Sequence, residues 1–352
     1  MQFPRLAQLG WNDQLADEFE EHALAGLKPG RVAVQHRGAW EVATEDGDAT
    51  VEITGRLRHA AEPGELPVVG DWVALRDNQI DAVLPRRSKF SRKTPFTEVS
   101  EQVLVANVDV AFLVMGLDER DFNVRRLERY LTTAWEGGAT PVIVLNKADL
   151  AEDLDAQLEQ TEAVAFGVPV HVVTAIAGEG IEVLLPYLAG AQTGVLLGSS
   201  GVGKSTLINA LLGEGRLPTG EVRGDGRGRH TTSHRELLLL PGGGVLIDTP
   251  GLRELQLWET EEGLDKAFAD VAELVNQCRF SDCAHDTEPG CAIREALANG
   301  SLPAERWESY VKLERELAHL ERKMDPRLRA EERKKWAAIS KSNRKRKKIL
   351  GH

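Results

Sequence analysis

Three short motifs stand in an order that leaves few folds open to this chain. Asn146-Lys147-Ala148-Asp149 comes first, Gly198-Ser199-Ser200-Gly201-Val202-Gly203-Lys204-Ser205 follows, and Asp248-Thr249-Pro250-Gly251 comes last. The middle element fits G-x-x-x-x-G-K-[ST], a glycine-rich turn between a strand and a helix. The context agrees, with an apolar run, Gly194 to Leu197, before it and a helical pattern, Ser205 to Leu212, after it. From Val103 onward the surrounding pattern alternates. Val108 to Met115, Pro141 to Leu145, Val170 to Thr174 and Val245 to Ile247 read as strands, and Asn123 to Glu136 as a helix. Such alternation predicts a mostly parallel sheet with helices on both faces.

The residue types give the motifs their chemistry. Glycines let the chain from Gly198 to Gly203 curl so that successive N–H groups face phosphate oxygens at a helix N-terminus. Lys204 is expected to reach the β- and γ-phosphates, and Ser205 to offer its hydroxyl to Mg²⁺. Asp248, ending an apolar strand, suits a water-mediated Mg²⁺ contact. Gly251 leaves room for an N–H near the γ-phosphate. The Asp149 carboxylate can accept from both N–H donors on the guanine edge. Adenine offers neither donor there and would leave Asp149 desolvated and unpaired, which disfavours an ATPase. Asn146 belongs to the same guanine element, Lys147 is expected to lay its stem over the base, and Thr174-Ala175 to meet the base from the other side. In most GTP-binding domains the glycine-rich loop comes first and the N-K-x-D element near the end. The rotated order implies a circularly permuted GTPase.

Two further segments bear on hydrolysis. Arg223 to Thr232, rich in glycine and arginine, falls where the first switch must lie. Either Thr231 or Thr232 would coordinate Mg²⁺ and the γ-phosphate, and Thr232 is slightly favoured. Many GTPases place a water-orienting Gln directly after the D-x-x-G glycine. Leu252 stands there instead and cannot polarise water, so intrinsic hydrolysis is expected to be slow. His230 is the nearest substitute in sequence, and it reads equally well as a loop histidine without a role.

All three cysteines fall in one segment, Cys278-x4-Cys283-Ala284-His285-x5-Cys291. Three thiols and an imidazole are a tetrahedral zinc set with no open position, so a structural Zn²⁺ is expected. The other seven histidines form no comparable cluster. So few cysteines fit a reducing cytoplasm. No basic-then-apolar leader and no long uncharged apolar stretch is seen, so no membrane partner is expected.

The net charge of −12 argues on its face against a nucleic-acid partner, but the charge is unevenly spread. Arg322 to Lys348 holds thirteen Lys/Arg against three acids, a local balance of +10, so the remaining residues carry −22. Near the other end, Arg31 to His36, Ala39 to Thr44, Thr50 to Leu57, Asp71 to Arg76 and Gln79 to Leu84 read as five short strands. They predict a small barrel, OB-like or SH3-like. A short helix, Asp13 to Leu24, precedes it, and Glu305 to Arg333 reads as a long helix broken near Pro326. Pro85 to Lys93 is a basic link, either a solvated linker or a strip that contacts phosphates beside the barrel. The basic tail beside such a barrel favours RNA-phosphate contact.

Together these features resemble the ribosome small-subunit-dependent GTPase family RsgA (YjeQ). The resemblance spans the barrel with Gly70-Asp71-Trp72-Val73, the basic link, the permuted domain and the C-x4-C-x-H-x5-C module. It implies an OB-fold barrel over residues 1–96, a circularly permuted GTPase domain over 97–255 and a helical zinc-binding domain with a basic tail over 256–352. It also implies GTP hydrolysis stimulated by the 30S subunit, 16S rRNA contact and late subunit maturation; separately, a monomeric protein is expected. The match carries phosphate contacts onto Gly201 to Thr206, guanine contacts onto Asn146, Lys147 and Asp149, and zinc onto Cys278, Cys283, His285 and Cys291. Thr249 and Thr174 stand where relatives often have Ser. The rival reading is a non-hydrolysing, nucleotide-gated RNA-binding module, with Leu252 marking lost catalysis.

Overall fold

The structure, a computed structural model, describes residues 3–62, 64–93, 101–213, 215, 235–249 and 261–324. The expectations placed on Thr231, Thr232, His230, Gly251, Leu252 and the tail beyond Met324 lie outside the described residues.

Three short helices, α1 (Pro4–Ala7), α2 (Asp13–Glu18) and α3 (Glu20–Leu24), precede the barrel. The single helix expected from Asp13 to Leu24 is thus two, divided at Phe19, whose buried ring meets Trp11 edge-on at 5.7 Å. The barrel comprises β1 (Lys28–Gln35), β2 (Trp40–Thr44), β3 (Gly47–Ile53), β4 (Trp72–Arg76) and β5 (Gln79–Val83). β1 pairs antiparallel with β2 and β4, β2 with β3, and β4 with β5, while a parallel β3–β5 pairing closes the ring. Helix α4 (Gly55–Ala60) lies between the third and fourth strands. Five strands closed in this way form the OB-type barrel rather than the SH3-like alternative. The strand expected to run to Leu57 stops at Ile53, because the Thr54 hydroxyl accepts the Leu57 N–H and starts α4.

The basic link is not a free linker over its whole length. β6 (Lys89–Lys93) pairs antiparallel with β7 (Glu101–Ala106), and Phe90 is buried beneath the ladder. From Lys89 to Lys93 the link is therefore a paired strand with Phe90 turned inward, not a solvated linker.

The second layer follows from buried apolar runs. β8 (Val110–Gly116), β9 (Thr140–Asn146), β10 (Val170–Val172), β11 (Thr193–Leu197) and β13 (Val245–Asp248) are mutually parallel in the order β10-β9-β8-β11-β13. Their residues alternate between two cores. Ala111, Leu113, Met115, Ile143, Leu145, Val195 and Leu197 face one side, and Val110, Phe112, Val114, Val142, Val144 and Leu196 the other. Strands covered on both faces read as unbroken apolar runs, as these do. Helix α5 (Val124–Glu136) covers the first face and α7 (Lys204–Leu212) the second, while α6 (Leu154–Glu162) connects β9 to β10.

Strand β12 (Glu236–Leu239) was not anticipated. It pairs antiparallel with β13 and, through Val34 opposite Glu236, with β1 of the barrel. One continuous eleven-stranded sheet therefore runs through both layers. Arg31 fastens this junction. Its guanidinium, 1% exposed, donates to the Thr193 hydroxyl at 2.8 Å, to the Asn107 carbonyl at 3.2 Å and to the carbonyls of Gly70 and Leu9. Burial lowers its pKa to about 10, so it stays protonated at neutral pH. Gly70 has φ +93°, and a Cβ there would stand 2.1 Å from the Ala106 carbonyl oxygen, so no side chain fits. Asp71 receives two hydrogen bonds from Arg86, at 2.8 and 2.7 Å. The Gly70-Asp71-Trp72 signature is therefore the mortise between barrel and sheet.

Helices α8 (Glu261–Ala267), α9 (Ala269–Asn276), α10 (Ala292–Asn299) and α11 (Ala304–Met324) complete the chain. Leu264, Phe268, Val271, Ile293, Tyr310 and Leu313 share one core with α5 and the sheet face beneath it. Among the described residues no helix is long and apolar enough to cross a membrane.

Candidate functional site

Parallel strands end on one edge of the sheet, and the motifs follow from that geometry. Asn146 ends β9, Asp248 ends β13, Gly198 follows β11, and Thr174-Ala175 lies just beyond β10. Open α/β sheets bind ligands at this carboxyl edge.

Asn146, only 2% exposed, uses both polar atoms of its side chain internally. Its Nδ2 donates to the Val202 carbonyl at 2.8 Å, and its Oδ1 accepts the Ala175 N–H at 3.0 Å. It thereby braces the glycine-rich loop against the Thr174-Ala175 turn. Gly203 makes the brace possible: at φ +93°, a Cβ would come within 2.3 Å of that Nδ2. Lys147 sits in the left-handed region, φ 64°, and opens the 3₁₀ turn Ala148–Leu150 that carries Asp149 to the surface. The turn from Thr174 to Glu179 is closed by paired backbone hydrogen bonds.

Within the glycine-rich loop the Lys204 ammonium donates to the carbonyls of Gly198 at 2.7 Å and Ser199 at 2.6 Å. Helix α7 starts at Lys204, with Ser205 and Thr206 in its first turn and Val202 buried beneath the loop. The Ser199 hydroxyl accepts from Arg126 of α5 at 2.6 Å, and the Tyr130 hydroxyl lies 3.3 Å away. Asp248 faces Glu236 across the β12–β13 ladder. Burial pushes its carboxyl up to about 6; Lys204 opposes the rise, Glu236 adds to it, and the Thr249 N–H opposes it. Ser205 and Asp248 are a hydroxyl and a carboxylate of the kind Mg²⁺ takes, and the N–H-rich loop with Lys204 suits phosphate.

The thiols form no disulfide. The donor atoms of Cys278, Cys283, His285 and Cys291 lie within 4.8 Å of one another. His285 Nδ1 stands 3.6 Å from the Cys278 sulfur and 3.5 Å from that of Cys291, and those sulfurs are 4.0 Å apart. Ligand atoms around a tetrahedral Zn²⁺ sit roughly 3.5–3.8 Å from one another, given bonds of about 2.0–2.3 Å. The cluster fits one such ion.

Sequence reasoning missed several residues around the site. Asp118 and Asp121 hold the Lys147 ammonium at 2.5 and 3.0 Å. Arg126 and Tyr130 touch the loop, and Arg306 joins Glu128 of α5 to Asp270 of α9. Only the aspartates left a readable signal, being acids directly after a buried strand at its carboxyl end.

Comparison with known proteins agrees with this geometry. A family model described as RsgA GTPase matches residues 83–258. A protein of Opitutus terrae named small ribosomal subunit biogenesis GTPase RsgA is 47% identical, the match covering 98% of this chain and 99% of that one. A relative in Oceanobacillus iheyensis, named small ribosomal subunit biogenesis GTPase RsgA 1, is 49% identical over 90% of this chain and 92% of its own. Among solved structures, YjeQ from Thermotoga maritima superposes with a TM-score of 0.64 at 30% identity, covering 83% of this chain and 99% of that chain. YloQ, described as a circularly permuted GTPase, superposes with a TM-score of 0.58 at 25% identity, covering 83% and 96%.

Proposed function

We propose, because this chain belongs to the RsgA GTPase family, that it hydrolyses GTP while bound to the small ribosomal subunit and assists late maturation of that subunit. The observation that carries the reading is Asn146, which joins the guanine-type element, the glycine-rich loop and the Thr174-Ala175 turn into one cradle.

Within that cradle Asp149 reads the guanine edge, and the N–H groups from Gly198 to Thr206 hold the phosphates. Lys204 exchanges its two carbonyl partners for phosphate oxygens. Ser205, Asp248 and Thr232 would hold Mg²⁺, which when bound would supply positive charge against the charge developing on the phosphoryl group. Gly251 supplies an N–H on the γ-phosphate side, and His230 is the candidate for orienting water where Leu252 cannot. Cys278, Cys283, His285 and Cys291 hold a structural Zn²⁺. The barrel and the basic tail approach 16S rRNA through phosphate contacts. The protein acts as a monomer in the cytoplasm, without a membrane partner.

Purified 30S subunits are expected to accelerate phosphate release from GTP well above the rate of the protein alone. Equal rates with and without subunits would refute the reading. Lys204→Ala should abolish turnover, and retained turnover would remove the loop assignment.

A further inference from the structure

Lys147 is held by more than its place in a motif. Its ammonium lies 2.5 Å from Asp118 Oδ2 and 3.0 Å from Asp121 Oδ2, with the three side chains 24%, 22% and 17% exposed. Burial works against the charge, but the hydrogen bonds that the ammonium donates to both carboxylates more than offset it and hold Lys147 above its ordinary pKa.

The Asp118 carboxylate and the loop that carries both acids are themselves held in place. Asp118 Oδ1 accepts the N–H groups of Arg120 at 3.2 Å and Asp121 at 3.0 Å, and its backbone carbonyl accepts those of Asp121 and Phe122. The Leu117 N–H donates to the Asn146 carbonyl at 2.9 Å, tying this loop to the residue before Lys147. Gly116 makes room for the turn, since a Cβ there would lie 2.9 Å from the Asp121 Cβ. The arrangement is built at both ends: a lysine in a left-handed backbone conformation, and a loop wound to present two acids to it.

A lone lysine beside a nucleotide is drawn toward the phosphates, and its four-carbon stem is free to follow. Two carboxylates against one ammonium leave a local charge of −1. That charge is unfavourable beside a polyphosphate but tolerable beside the neutral base. We propose that Asp118 and Asp121 are positioning residues for the nucleotide. By anchoring Nζ of Lys147 they keep its stem laid along the guanine plane, so that the base enters a slot already formed. The inference rests on the guanine-nucleotide reading above. It predicts an effect on the base side alone, felt equally by GDP and GTP.

The test uses the full chain with Asp118→Asn, Asp121→Asn, the double change and Lys147→Met, which keeps the stem and removes the charge. Dissociation constants are measured with fluorescent GDP and with a non-hydrolysable GTP analogue, and turnover with 30S subunits. Each single Asn variant should weaken both nucleotides by the same factor, about three- to tenfold for a partly buried charged contact. The loss should fall on KM rather than kcat, and Asp121→Glu should restore part of it. In the Lys147→Met background the Asn changes should add nothing, because they act only through Nζ.

Double-variant affinity equal to wild type would overturn the proposal, as would losses undiminished in the Lys147→Met background. Weakening of GTP but not GDP would overturn it too. Should one Asn variant not fold, the other with Lys147→Met completes the cycle. Wild-type protein that binds no guanine nucleotide would instead refute the underlying reading, so the two failures are distinguishable.

Discussion

Arg306 is the side chain whose loss should reveal how the C-terminal helices are attached to the GTPase layer. Its guanidinium and the Glu128 carboxylate are each 3% exposed and meet at 2.8 Å. The same guanidinium reaches Asp270 at 2.8 and 3.1 Å and the Ala267 carbonyl at 2.8 Å, and it stacks 4.1 Å over the Phe268 ring. Burial works against the charge, but Asp270 and Glu128 more than offset it, and the guanidinium is held above its ordinary pKa. Arg306→Met keeps most of the volume and strands the buried Glu128 carboxylate, a loss of about 3–5 kcal/mol when a buried pair loses one partner. Glu128→Met leaves Arg306 with Asp270, 30% exposed, and should cost less, about 1–2 kcal/mol. The double variant removes both halves and should fall well short of the sum, giving a coupling of about 2 kcal/mol. Hydrogen exchange along α5 and α11 reads this directly, since undocking of the helices appears as faster local opening. Additivity within about 0.5 kcal/mol, or exchange in α11 unchanged by Arg306→Met, would refute the view that this cluster ties the module to α5.

Three other expectations follow from the site. Asp149→Asn replaces an acceptor with an amide that can donate to a carbonyl at the purine 2-position; guanine nucleotides should lose on the order of 100-fold in affinity and xanthine nucleotides gain, as competition between GDP and XDP will show. The Asp248 carboxyl, at about 6 against an ordinary 3.8, is protonated more readily in the folded protein than in the unfolded chain. Its ionisation therefore removes stability as pH rises from about 4 through 6, by about 3 kcal/mol at most in the nucleotide-free state, while Mg²⁺ requires the ionised form. Mg²⁺ affinity measured from pH 5 to 8 should thus weaken below about pH 6, and Glu236→Gln should move that midpoint downward; a flat profile would count against Asp248 as a ligand. Finally, native mass spectrometry should find one zinc per chain, lost in Cys283→Ser, with earlier melting of the C-terminal helices and nucleotide affinity kept within about twofold.

What the sequence made legible was local, and what it hid was distant. The glycine-rich loop is recognisable because its strand, turn and helix occupy neighbouring positions, and the Cys/His cluster because its ligands lie within fourteen residues. The parallel strands were visible because burial on both faces leaves unbroken apolar runs. Strand β12 is only four residues long and is followed, after Leu240, by Pro241-Gly242-Gly243-Gly244, so it is too short for periodicity to mark. Its importance lies in which edges it joins. Glu128 and Arg306 stand 178 positions apart, and each in isolation resembles the solvated face of a helix. Charged residues are rarely buried unless paired, so neither could be read as core before its partner was known.

The permuted motif order gains a physical sense from these joins. Strand β12 has two partners: β13, which ends in Asp248, and β1, the first strand of the barrel. Backbone pairing there and the four bonds of Arg31 make the barrel an extension of the same sheet. The C-terminal module is attached differently, by side chains on α5: Glu128 to Arg306, and Arg129 to Glu316 at 3.1 Å. That same helix places Arg126 and Tyr130 on Ser199 of the glycine-rich loop. A ladder transmits strain as a rigid body, whereas a side-chain interface on one helix can be made or released as a unit. The new chain ends created by permutation thus carry two kinds of attachment, one continuous with the sheet that ends at Asp248 and one seated on the helix that touches the phosphate loop.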